Sequence, residues 1–441
     1  IFTGLLPFVW FTNQPSNSGL YQNMVEYNTQ KNPGSLPADF GFNPNYRETL
    51  QKYPSLFPST PSEQAPDVIA YVDPKFKMPQ VWRSNLNVDI QLPYDFMLSV
   101  GAMYTRDIYN VAQINMNEAE PTGVYNEQPD RIYWASKKYE YNDYTNGKNV
   151  VVKLSNGEDK GYQYSFNAIL TKKYDFGFTG SIGYTYTMAK DLTANPGSAP
   201  NSAWQNNVAV NSLNDPGVSY SLFSTPHRII ANASYEINYA KCLKTTFSLF
   251  YSGYHTGRYS YTYYNDMNGD GNYSDLIYVP NSQDEMTFVD ITDKSGAITY
   301  SAVDQAKDFW DFVNNDSYLK DRKGKYVERN GSLTPWINRF DFKIAQDFYA
   351  TLGGRKYGIQ VSLDMLNVGN MINSKWGAYQ SCGLKSYDNV QLLKTASKVG
   401  EPLTYQINAN SREAFKERSS WQYTNTIGSA WSMQLGVKVT F

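Results

Sequence analysis

Apolar and polar residues alternate along much of this chain. A β-strand imposes that period of two by pointing successive side chains to opposite faces. The last segment shows it most plainly, with Trp431, Met433, Leu435, Val437, Val439 and Phe441 interleaved with Ser432, Gln434, Gly436, Lys438 and Thr440. Upstream, Leu86, Val88, Ile90 and Leu92 alternate with Asn85, Asn87, Asp89 and Gln91. After Pro93-Tyr94-Asp95 come Phe96, Leu98, Val100, Ala102 and Tyr104. Tyr162, Tyr164, Phe166, Ala168 and Leu170 form another run. Beyond Lys173-Tyr174-Asp175 follow Phe176, Phe178, Ile182, Tyr184 and Tyr186. Ile229, Ala231, Ala233, Tyr235 and Ile237 precede a partner of Phe247, Leu249 and Tyr251. Phe340, Phe342 and Ile344 precede one of Ile359, Val361, Leu363 and Met365. Nine strands are predicted, with a tenth ending near Trp10.

The connections alternate too. Links at 93–95, 173–175, 239–242 and 348–355 are short, whereas those at 108–161, 191–225, 256–335 and 367–430 are long. Short turns on one side and long loops on the other are the layout of outer-membrane β-barrels, the short side being periplasmic. The fold class expected is all-β: an antiparallel transmembrane barrel whose extracellular loops are 13–82, 108–161, 191–225, 256–335 and 367–430. Consistent strand direction then requires 403–409 to be a hairpin inside the last loop rather than a crossing. A soluble β-sandwich fits less well, because its strands average five or six residues and loops of this length are uncommon in one. Tyr94-Asp95-Phe96 and Tyr174-Asp175-Phe176 stand at short turns, where an amphipathic ring suits the membrane interface.

Composition narrows the class. Aromatic residues make up 16% and charged residues 18% of the 441 residues, with 38 tyrosines. No run approaches the roughly 20 apolar residues of a spanning helix, and the mean hydropathy of -0.54 is what alternating strands and polar loops produce. A net charge of -2 leaves no basic footprint for nucleic acid. Cys242 and Cys382 make neither a disulfide framework nor a zinc site. Their expected placement on opposite sides of the membrane predicts no bond between them. The chain starts at Ile1 without a signal peptide. An exported barrel needs one, so a leader and an upstream length are expected beyond it.

Several segments, in order, resemble the Oar-like branch of TonB-dependent receptors of Bacteroidota. They are Ile1-Phe2-Thr3-Gly4 with Pro7-Phe8-Val9-Trp10, Phe76-Lys77-Met78-Pro79-Gln80-Val81-Trp82-Arg83, and Thr225-Pro226-His227-Arg228. Further on stand Asp266-Met267-Asn268-Gly269-Asp270-Gly271-Asn272, Asp364-Met365-Leu366-Asn367-Val368-Gly369-Asn370 and the final strand. The resemblance implies the C-terminal half of a barrel of about 22 strands, with a plug domain and TonB box lying outside this chain. It implies uptake of a scarce or bulky nutrient driven through TonB. The partners implied are outer-membrane lipid, TonB, an unknown nutrient and a surface lipoprotein. The competing readings are a structural or adhesive surface barrel and a passive porin.

The strongest site signal is Asp266, Asn268, Asp270, Asn272 and Asp275. Oxygen donors at alternate positions with glycine between them copy the first half of an EF-hand Ca²⁺ loop. Ile277 occupies the twelfth position, where that loop has an acid, so Asp275 would substitute. Calcium would be structural here; an ordinary polar turn is the alternative. His227 and His255 are the only histidines, and neither H-E-x-x-H nor G-x-S-x-G occurs, so no catalytic residue and no enzyme activity is expected. Tyr259, Tyr261, Tyr263 and Tyr264 stand beyond a strand top and are expected to extend the sheet or join an aromatic girdle rather than grip a ligand.

Overall fold

The computed structural model describes residues 1–6, 27–57, 59–60, 68–141, 150–382, 385–386, 389–408, 421–424 and 426–441. Nine long strands pair in chain order, each antiparallel to the last. They are β1 (Gln80–Leu92), β2 (Phe96–Tyr109), β3 (Tyr162–Lys173), β4 (Phe178–Asp191), β5 (His227–Tyr239), β6 (Leu243–His255), β7 (Trp336–Leu352), β8 (Arg355–Leu366) and β9 (Ser432–Thr440). A two-residue strand, Phe2–Thr3, adds to β1 by pairing with Val81 and Gln80. The strand expected near Trp10 lies outside the described residues. Among the described residues the sheet stays open, with Phe2–Thr3 at one edge and β9 at the other.

Register explains the alternation. Phe178, Tyr235, Phe247, Ile344, Leu363 and Leu435 are successive cross-strand partners, so one apolar row crosses six strands. One residue along, the row reads Thr179, Ser234, Ser248, Lys343, Asp364 and Gln434. A second apolar row joins Ile90, Leu98, Leu170, Ile182, Ala231, Tyr251 and Phe340 across β1 to β7. Leu435 and Val437 are 72% and 67% exposed, so among the described residues nothing covers this face, the one that meets lipid in a membrane barrel. On the polar face Lys343 Nζ meets Asp364 Oδ1 at 2.7 Å. Strand lengths run from nine residues in β9 to 17 in β7, and about 9–11 tilted residues cross a bilayer.

One short link is much tighter than the sequence suggests. The one expected over 348–355 shrinks to Gly353-Gly354, both in the left-handed region at φ +59° and +79°. That is the backbone a two-residue hairpin turn requires, and it lets β7 and β8 pair as far as Leu352 and Arg355. Phe176 belongs to the turn before β4 rather than to the strand, and the last strand begins at Ser432 rather than Trp431.

The four long connections, 110–161, 192–226, 256–335 and 367–431, all leave the same end of the antiparallel sheet and fold together there. Ordering such lengths of chain costs about 1–2 kcal/mol per residue in backbone entropy, so a loop cluster holds one shape only with a core of its own. This one has it. Arg258–Tyr263 pairs with Ser332–Leu333 and, in parallel, with Asn389–Thr395. Asn389–Thr395 pairs in turn with Thr404–Ile407, which takes Thr287–Phe288 alongside it. Of the 403–409 segment, Thr404–Ile407 thus pairs inside the last connection and stays out of the main sheet, and residue 409 lies outside the described residues. Helix Ala302–Asn315 starts at Ser301, whose side chain accepts from the Asp304 N–H. It buries Gln305, Phe309, Phe312 and Val313, the i, i+4, i+7, i+8 stripe of one helix face. Gln305 has no exposure. It donates to the carbonyls of Val289 and Tyr300 and accepts from Ile407 N at 3.0 Å. Each buried phenyl ring contributes about 1.5–3 kcal/mol, and Phe309 and Phe312 sit in one core with Tyr261, Ile277, Leu392 and Ile407.

Tyr259, Tyr261 and Tyr263 are therefore neither girdle nor grip. They are core residues of this separate cap sheet, at most 3% exposed, and of the run only Tyr264 reaches solvent. The cap is moored to the main sheet at Arg329, whose guanidinium meets Asp191 Oδ1 at 3.0 Å and the Asp191 carbonyl at 2.6 Å.

Candidate functional site

The acidic loop follows directly on the buried strand Arg258–Tyr263. Gly269 and Gly271 at φ +82° and +95° turn its backbone back so that its acids face inward. Asp266 accepts from the amides of Gly269 at 2.8 Å and Gly271 at 2.9 Å. Asn268 Oδ1 accepts from Asp270 N at 3.0 Å, and Asp270 Oδ1 from Asn272 N at 2.7 Å. Asp275 Oδ2 accepts from Met267 N at 2.9 Å, closing the loop on itself. Neighbouring segments pin it from outside: Trp134 N donates to the Asn268 carbonyl at 2.7 Å and Tyr125 Oη to that of Met267 at 3.3 Å.

The five residues picked out by spacing are thus brought into one buried loop. Asn268, Asp270, Asn272 and Asp275 are at most 5% exposed. Their oxygens mostly serve backbone amides. Among the described residues no three His, Cys, Asp or Glu side chains group closely enough to hold a metal ion. Burial nevertheless pushes all three carboxyls up. Asp270 rises well above the carboxylate range, further raised by Asp275 and Asp266. Asp266 is raised against the pull of the loop amides. Asp275 is pushed up to about 7 by burial, although the Arg131 charge pulls it down.

Arg131 is the residue the sequence did not advertise. Its side chain is wholly buried, and nothing in Pro129-Asp130-Arg131-Ile132 marks it as special. Nη1 donates to the Val210 carbonyl and lies 3.5 Å from Asp275 Oδ1. Nη2 donates to the Leu276 carbonyl, and Nε to Gln128 Oε1 at 3.2 Å. The guanidinium lies 4.8 Å from the Tyr326 ring centroid and 5.9 Å from that of Tyr263. Gln128 in turn donates to the hydroxyls of Tyr263 and Tyr405 at 2.9 Å each. One cation thus ties three long connections together.

The histidines carry no chemistry of this kind. His227, the first residue of β5, stacks on Tyr184 and shares a 2.7 Å hydrogen bond with its hydroxyl. His255 Nδ1 pairs with the Thr334 carbonyl at 2.5 Å, edge-on to Trp336. Cys242 is exposed in the turn between β5 and β6, and Cys382 is buried in the last connection; neither is in a disulfide.

The arrangement is a cored, multi-connection surface at one end of a membrane-facing sheet. A family model described as Outer membrane beta barrel domain matches residues 4–377. Comparison with curated proteins and with solved structures returned no match.

Proposed function

From the premise that this chain belongs to the outer membrane β-barrel domain family and so resides in the outer membrane of a Gram-negative bacterium, we propose that it is the capture and wall portion of a TonB-dependent transporter. The Oar-like resemblance of its segments supports this reading, as does one structural observation. The four long connections build a single cored cap at one end of the strands instead of separate mobile loops. A passive porin gains nothing from a fused cap, whereas a receptor for a scarce nutrient needs a pre-organised surface. An open sheet edge is not tolerated in lipid, so the arc closes with further strands into a larger barrel. In this reading the chain performs no reaction chemistry.

Calcium belongs to the same proposal. Asp266, Asp270 and Asp275 share one loop, with Arg131 3.5 Å from Asp275 and the Lys138 charge acting on Asp266. A cation there would offset their repulsion and stiffen the cap.

The test is growth of cells on limiting single nutrients, with this protein or TonB removed in turn. The reading expects one nutrient whose use is lost in both strains. Steady ion conductance by the full-length protein in planar bilayers without TonB would instead establish the porin reading.

A further inference from the structure

A cleft of about 690 Å³ opens on the outer side of the acidic loop. All four long connections contribute to its wall, which no single loop could build. Its size falls in the range of small-molecule sites. Two tyrosine rings stand open in it: Tyr264 is 47% exposed and Tyr273 66% exposed. Around them are side-chain amides, among them Gln205, Asn206 and Asn389. The Asn206 amide is fixed by donating to the Pro196 carbonyl at 2.9 Å. Among the described lining residues, Lys138 carries the one charge and no carboxylate takes part.

Asn272 supplies the second, independent sign. It lines the cleft yet is only 4% exposed, and its Nδ2 has no hydrogen-bond partner. A buried donor left unpaired is costly and is rare unless something else satisfies it.

We propose that this cleft binds a neutral, polyhydroxylated ligand, an oligosaccharide, with Tyr264 and Tyr273 as platforms and Asn272 as a buried donor. The chemistry follows from the lining. A sugar ring presents a face of polarised C–H bonds, which suits the negative face of an aromatic ring. Its hydroxyls both donate and accept, and so do side-chain amides. An anionic ligand would want several cations, and a cationic one would want carboxylates; the described lining residues offer neither. A lipid chain would want an apolar wall. The inference deepens, and rests on, the reading of the cap as a capture surface, but it does not require transport.

The experiment uses the full-length protein, extracted from outer membranes in detergent. It is applied to an array of neutral oligosaccharides, acidic oligosaccharides and peptides, and hits are titrated by calorimetry. The expected result is retention of neutral oligosaccharides. Tyr264→Ala and Tyr273→Ala should each weaken binding roughly two- to tenfold, and Asn272→Ala should weaken it as well. Tyr46→Ala, an equally exposed tyrosine outside the cleft, should change nothing. Retention of only peptides or acidic sugars, no neutral binder, or neutral binding unmoved by Tyr273→Ala would overturn the proposal. Neutral binding that persists while nutrient use proves independent of TonB would keep the cleft and remove the transporter reading.

Discussion

Replacing Arg131 by methionine should unlatch the cap in a pH-dependent way. The substitution keeps most of the apolar stem but removes the guanidinium. The carbonyls of Val210 and Leu276 lose their donors, and Asp275 loses the cation at 3.5 Å. Breaking a buried pair by removing one partner costs about 3–5 kcal/mol. Much of that cost is the stranded carboxylate, and a proton can relieve it. In the native protein the Asp275 carboxyl is already raised from 3.8 to about 7 by burial. The folded state therefore holds a proton that the unfolded state releases, and stability falls as pH rises from near 3.8 to about 7. Without Arg131 the carboxyl climbs further, so this loss grows and extends above pH 7. At pH 8 the variant should lose the full 3–5 kcal/mol or so. At pH 5, with Asp275 neutral, the orphaned carbonyls remain, for a loss of about 1–3 kcal/mol. The assay is hydrogen exchange read by mass spectrometry over 263–277, corrected for intrinsic rates and run in chelator so that no cation intervenes. In Arg131→Met combined with Asp275→Asn the share of the pH dependence that belongs to Asp275 should vanish, leaving that of Asp266 and Asp270. Equal loss of protection at both pH values, or less than about 1 kcal/mol at pH 8, would refute the argument.

Three further outcomes test other levels of the structure. Leu435→Arg, at the β9 end of the apolar row, should cost about 2–4 kcal/mol of folding free energy in lipid vesicles. A change at Gln434, on the polar row, should cost much less, and equal costs would mean the faces are misassigned. Gln305→Leu removes three hydrogen bonds from a site with no exposure and should cost about 1–3 kcal/mol. It would read out as faster protease cleavage within 256–335 while urea unfolding of the barrel stays unchanged. If calcium occupies the acidic loop, chelation should reduce exchange protection at 266–275 and its restoration should follow a millimolar titration. Protection indifferent to chelator would assign the loop to amides and Arg131 alone.

The main sheet was legible because lipid writes its own period. A strand with lipid on one side must alternate, and Leu435, Leu363, Ile344 and Phe247 fall into one row for that reason. The cap has no such external solvent. Arg258–Tyr263 also alternates tyrosine with Arg258, Ser260 and Thr262, but every one of those residues is buried, so the pattern gives no inside and no outside. Its parallel partner Val390 lies far along the chain from Tyr261, a pairing that periodicity cannot announce. Helix Ala302–Asn315 did carry a signal, in the Ser301 cap and the spacing of Gln305, Phe309, Phe312 and Val313, although one helix inside a long polar connection is easy to pass over. The acidic loop was half legible. Its spacing gave the five residues and their common turn, but not that Arg131 would arrive from a different connection to face Asp275. The same asymmetry bears on function. Barrel strands are fixed by the membrane, whereas the cap is held by its own core and by moorings such as Arg329 to Asp191. Lost contacts inside the cap should therefore open it without unpairing β1 to β9. The capture surface proposed above, releasing its ligand toward the lumen, would need that separation of stabilities.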